Sequence, residues 1–144
     1  VDKSKPSIEI FGIAEGGRYK ENSREIMVDV QDNLGVEKLI VFLNDEPLVY
    51  DMETLHKADG KIKIAVKGSN QWQTLKAVTR DCTGNEISTD EMTFLVTPNV
   101  LVQFYNRKPL FYGSMTTAML LGIIICVNVA RNYKKVLKED KLNE

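Results

Sequence analysis

Residues 110–130, LFYGSMTTAMLLGIIICVNVA, form a run of 21 positions without Asp, Glu, Lys, Arg or His. As a helix rising about 1.5 Å per residue, such a run reaches roughly 31 Å, the thickness of a bilayer's hydrocarbon core. The other structure open to it is a buried helix of a soluble protein, but those helices seldom run this far without a charged position. The flanks favour the membrane. Phe104, Tyr105, Phe111 and Tyr112 stand at one mouth and Tyr133 at the other, where amphipathic rings collect at interfaces. Arg131, Lys134, Lys135, Lys138 and Lys141 follow the run, whereas Arg107 and Lys108 closely precede it. Five cations against two place the C-terminus in the cytoplasm and residues 1–109 outside, so the expectation is a single-pass, C-terminal membrane anchor.

The apolar fraction of the whole chain, 43%, averages two solvents. Residues 1–109 hold 14 basic and 17 acidic side chains, net −3, and the remainder 5 basic and 3 acidic, net +2. Neither part concentrates the basic charge of a nucleic-acid binder. About 100 residues are enough for one exterior domain with its own core. The chain starts at Val1 with no basic-then-apolar leader, so an exported protein of this topology is expected to be the C-terminal part of something longer. Cys82 and Cys126 fall in different compartments and are expected to form no disulfide with each other.

Residues 7–97 read as short strands between turns. Residues 7–11 follow Pro6, and Gly12, Gly16 and Gly17 then break the pattern before Tyr19. Residues 24–31 alternate with period two, Ile26, Val28 and Val30 on one side and Met27, Asp29 and Gln31 on the other. Asp32-Asn33-Leu34-Gly35 turns the chain. Residues 36–43 are apolar on both faces, as in a strand covered on both sides, and stop at Asn44-Asp45-Glu46-Pro47. Residues 48–50 suit a short edge piece, and residues 52–58 show no pattern. Ile62, Ile64 and Val66 alternate with Lys61 and Lys63 in 61–67; Leu75, Ala77 and Thr79 share a face in 72–81; Met92, Phe94 and Val96 share one in 91–97. About seven strands, no helix and turns every 8–12 residues predict an immunoglobulin-like antiparallel β-sandwich followed by the single transmembrane helix.

The ordered pieces Asp2…Pro6-Ser7-Ile8, Gly17-Arg18-Tyr19, Val28-Asp29-Val30-Gln31-Asp32, Val41-Phe42-Leu43-Asn44-Asp45, Asp59-Gly60-Lys61 and Ala77-Val78-Thr79-Arg80-Asp81-Cys82-Thr83-Gly84-Asn85 resemble bacterial immunoglobulin-like surface repeats across roughly residues 2–97. The departures are Asp45, where that family favours Gly, and Cys82-Thr83, where a Lys-Ala type of pair is common. The resemblance implies stalk, spacer and adhesion roles on cell surfaces and no shared chemistry.

Candidate sites are few. Asp81 and Asn85 bracket a turn that is either structural, with Gly84 supplying positive φ, or a calcium site completed by Asp32, Asn33 or Asp2. His56 is the single histidine and offers no nucleophile–base pair by itself; Cys82 reads as a small turn residue. Phosphate loops and metal-ligand spacings are missing from the sequence, so neither an enzyme nor a cofactor or metal is expected. Trp72 either covers one end of the sandwich or stacks on a ligand. In the apolar run Ser114, Ala118, Gly122 and Cys126 recur every four residues, continued by Ala130, and make either a helix-packing face, to which Thr117 could add a hydrogen bond, or a chance pattern in a composition rich in small residues. Asn128 lies within reach of interfacial water at the cytoplasmic end.

The expected organisation is a sandwich at 1–97, a juxtamembrane linker at 98–109, a transmembrane helix at 110–130 and a basic cytoplasmic tail at 131–144. The expected function is a non-enzymatic stalk or anchor holding upstream modules at a cell surface. The sequence leaves two alternatives. One is an accessory subunit docking through its helix onto another transmembrane helix or a second copy; the other is a ligand-binding adhesin module. No sortase-type Leu-Pro-x-Thr-Gly precedes the helix, so the anchor is expected to be retained.

Overall fold

Strands form where β-branched and polar residues alternate, because only an extended chain sends them to opposite faces. The computed structural model describes residues 5–142 and has, in chain order, β1 (Ser7–Phe11), β2 (Gly17–Tyr19), β3 (Ser23–Gln31), β4 (Val36–Leu43), β5 (Glu46–Asp51), α1 (Met52–Lys57), β6 (Lys61–Lys67), β7 (Gln73–Asp81), β8 (Glu86–Ser88), β9 (Met92–Val96), α2 (Val100–Tyr105) and α3 (Lys108–Leu142). One sheet has the order β1-β3-β6, and the other β2-β9-β7-β4-β5 with β8 paired to β7. The chain divides after Gln103 into two compact units.

Ile26, Val28 and Val30 of β3 and Ile62, Ile64 and Val66 of β6 pack in one buried cluster with Leu39, Val41, Leu75, Ala77, Phe94 and Val96 of the other sheet. This is an immunoglobulin-like β-sandwich whose core lies between the sheets. Each such large side chain contributes about 1.5–3 kcal/mol by leaving water. Ile40 and Phe42, on the outer face of β4, are half-buried, so β4 is covered fully on one side and partly on the other.

The sandwich is not wholly antiparallel. β2 runs parallel to β9, with Gly17 opposite Phe94 and Tyr19 opposite Val96. The first strand of the fold is split: β1 belongs to one sheet, and the chain crosses over, burying Ile13, to lay β2 beside the last strand of the other. Nine strands are present among the described residues, two more than the rounded expectation, because β2 and β8 have three residues each, too few to show a period.

The expectation of no helix before residue 97 is corrected at α1. Asp51 caps it, its carboxylate accepting from Thr54 N at 2.9 Å, and Glu53 pairs with Lys57 one turn on at 2.6 Å. Leu55, the buried residue of α1, is 3% exposed and closes the core at that end. Gly60 then takes φ 72°, and a Cβ there would lie 2.2 Å from Val30 O, so only glycine fits where the chain enters β6. Between β4 and β5, Asn44 and Asp45 sit at φ 51° and 67°, the two-residue hairpin turn whose twist suits a right-twisted ribbon.

Candidate functional site

The chain enters and leaves the sandwich at opposite poles. Ser7 at the start of β1 pairs with Gln31 at the end of β3, whereas Val96 at the end of β9 accepts from Ser69 N at 2.7 Å, beyond the other end of β6. The leaving pole is fastened. Tyr19 O accepts from Thr97 N at 3.0 Å and from Gln103 Nε2 at 3.1 Å, and Gln103 Nε2 also reaches Thr97 O at 3.3 Å. Asn99 caps α2, its Oδ1 accepting from Leu101 N at 3.0 Å. The Tyr19 ring carries the Arg24 guanidinium at 3.6 Å, and its hydroxyl accepts from Ala14 N at 2.9 Å. Residues 98–109 thus contain a capped helical turn whose Gln103 is buried. Only Asn99 before an apolar triplet signals it in the sequence.

In the second unit α3 is 35 residues long, about 52 Å at the helical rise. Lys108–Lys138 is long and apolar enough to cross a bilayer, and none of it is buried. Met119, Leu120, Ile123, Ile124 and Ile125 are all exposed, which for a water-soluble surface would be an unusually extended apolar patch. Its Ser and Thr hydroxyls are satisfied within the helix: Ser114 Oγ donates to Phe111 O at 2.8 Å, and Thr116 and Thr117 donate to Gly113 O at 2.9 Å each. The Thr117 hydroxyl, which could add a hydrogen bond to a packing face, donates here to its own backbone. At the N-terminal mouth Phe111 meets Phe104, Tyr105 and Tyr112 edge-on, at centroid separations of 5.8, 5.1 and 5.7 Å. Ser114, Ala118, Gly122 and Cys126 lie exposed along α3, and a Cβ at Gly122 would meet nothing within 4 Å.

At the pole where β1 starts, Asp81 is 1% exposed and its carboxylate is fully engaged. Oδ1 accepts from Thr83 N, Thr83 Oγ1 and Asn85 N at 2.8 Å each, and Oδ2 from Asn85 Nδ2 at 2.8 Å. Burial pushes this carboxyl up, but the hydrogen bonds from Asn85 and Thr83 outweigh it and hold the group down at about 2. The turn is a structural clamp, since a cation would have to displace four donors. Asp32 Oδ2 accepts from Leu34 N at 2.9 Å, another turn-forming bond. Asp2, named as a third calcium ligand, lies outside the described residues.

A cleft of about 930 Å³ opens at this pole, lined in part by Asp32, Glu53, His56, Asp59 and Cys82. Among the described residues no three His, Cys, Asp or Glu side chains are grouped to hold a metal ion. Trp72, 39% exposed, stands in the β6–β7 connection with the Arg18 guanidinium 5.8 Å from its ring, a cation–π contact made within the sandwich.

No family model matches the chain and no curated protein matches it. Among solved structures the chain is similar to the fibronectin(III)-like modules of Clostridium thermocellum CbhA, at 20% identity and a TM-score of 0.49, over 65% of this chain and 99% of that one.

Proposed function

We propose that this chain is a non-enzymatic surface module, a stalk or anchor that holds modules further out at a cell membrane, as bacterial immunoglobulin-like surface repeats do. The observation that carries this is α3: an unburied apolar helix long enough to cross a bilayer, whose Ser114, Thr116 and Thr117 hydroxyls are bonded to its own backbone. The opposite poles of the sandwich suit a spacer, because modules strung through it would lie in line. In this reading residues 1–97 form the exterior sandwich, 98–109 the juxtamembrane segment, 110–130 the span and 131–144 a basic cytoplasmic tail. Single-cysteine variants Ser69→Cys and Asn143→Cys, made in a Cys82→Ser, Cys126→Ser background, test it in intact cells. An impermeant thiol reagent should modify position 69 and spare 143. Modification of 143 alone overturns the orientation, and release of the protein by alkaline carbonate overturns the anchor.

The exposed row Ser114, Ala118, Gly122 and Cys126 supports a second reading, a subunit that docks through this face against another transmembrane helix or a second copy. Gly122→Leu should then reduce crosslinking through Cys126, whereas Leu121→Ile should not.

A further inference from the structure

The helix does not stop where the apolar run stops. α3 continues unbroken past Ala130 to Leu142, so the basic residues that follow are held on a rigid surface. At about 100° per residue, Lys134, Lys135 and Lys138 lie about −60°, +40° and −20° from Arg131, all inside one arc of roughly 100°. Tyr133, Val136 and Leu137 lie at about 140–240°, on the opposite side, and all three are exposed. The helix therefore changes character at residue 131, from apolar all round to two-faced, with its described cations on one face. The net charge beyond residue 110 is only +2. The arrangement, more than the amount, of charge distinguishes this segment.

We infer that the face formed by Arg131, Lys134, Lys135 and Lys138 binds the anionic headgroups of the membrane leaflet that α3 leaves. This builds on the membrane-anchor reading above and adds the lipid class. Arg131 to Lys135 begin within about 8 Å of the end of the apolar run, the depth of a headgroup layer. Lys138 starts about 12 Å out, but helical side chains lean toward the helix N-terminus, here back toward the bilayer, and a lysine stem reaches several ångströms. Four cations fixed on one side meet headgroup phosphates together, whereas cations spread around the helix would each meet a separate patch. The attraction is electrostatic and fades within a Debye length, about 8 Å in physiological salt.

The test uses the full chain in phosphatidylcholine vesicles containing 20–30% phosphatidylglycerol. A donor is placed at the span's end with Asn132→Trp in a Trp72→Phe background. Energy transfer is measured to phosphatidylglycerol and, separately, to phosphatidylcholine, each carrying the same dansyl group on an acyl chain. Enrichment of the anionic probe by at least about threefold over random mixing is expected at low salt, collapsing toward random in 0.5 M NaCl. A composition-preserving variant exchanges neighbours, Tyr133→Lys with Lys134→Tyr and Leu137→Lys with Lys138→Leu, keeping the total charge but splitting the face. It should lose most of the enrichment. Equal enrichment in the exchanged variant means that charge alone attracts lipid and overturns the inference. Random mixing in the parent protein overturns it while leaving the anchor standing, provided the protein resists carbonate extraction. Extraction by carbonate removes both.

Discussion

Phe94 in β9 is 0% exposed, while Met119 in α3 is 72% exposed, although both are large apolar residues in regular secondary structure. The sandwich hides its apolar side chains against each other and turns Lys61, Lys63 and Lys67 of β6 outward. α3 makes no such division over its central turns and closes only its polar groups, backbone and hydroxyl, upon itself. The first pattern is what water selects and the second what hydrocarbon selects. A single chain-wide hydropathy average conceals this, because the sandwich buries its large apolar side chains and α3 exposes them.

Truncations should separate the two regions most sharply. Phe94→Ala is expected to cost the sandwich about 3–5 kcal/mol, because it leaves a cavity at a fully buried site between the sheets. Ile124→Ala in α3 should leave the sandwich's unfolding midpoint where it was. Both are read by denaturant unfolding of the reconstituted protein followed by sandwich fluorescence. A comparable loss from Ile124→Ala would mean that α3 is part of the folded core. Gly60→Ala should come next, at about 2–3 kcal/mol, since its Cβ would be forced 2.2 Å from Val30 O at φ 72°.

A smaller effect is expected from the Asp81 clamp, and it is tied to pH. The folded carboxyl sits at about 2, below the ordinary unfolded value near 3.9. Its contribution is therefore complete above pH 4–5 and is lost as pH falls through about 2, because protonation removes the acceptor that Thr83 and Asn85 share. Asp81→Asn should lower the melting temperature by several degrees at pH 7 and flatten its dependence on pH between 4 and 2. A parallel curve in the variant would show that Asp81 does not govern that range. The smallest change is a gain: Asp45→Gly at φ 67° should add up to about 1 kcal/mol, by relieving a left-handed conformation in the hairpin turn.

Much of this contrast was legible in the residues themselves. The bounds 7–11, 36–43 and 61–67 coincide with β1, β4 and β6, because each run is rich in β-branched or other apolar residues and is closed by Gly or Asn. α1 escaped because six residues with one buried position, Leu55, give no helical period; Asp51 and Glu53 were its only markers. β2 and β8 were too short, and the parallel pairing of β2 with β9 is a long-range choice that no local pattern encodes. The pinning of α2 by Gln103 was hidden for the same reason, since Tyr19 lies 84 residues away. Composition sufficed to find α3, but the one-sided placement of its cations emerges only once the helix is seen to run on through residue 142.

The protein carries its own reporters of the two regions, since Cys82 of the sandwich and Cys126 of α3 are both free and both exposed. Membranes containing the unmodified full chain are treated with a charged, impermeant maleimide, and adducts are counted by intact mass before and after adding detergent and denaturant. If α3 lies in a bilayer, one adduct forms in membranes, at Cys82, and the second appears at Cys126 only after the membrane is dissolved. Rapid modification of both cysteines in undisturbed membranes would contradict a transmembrane α3.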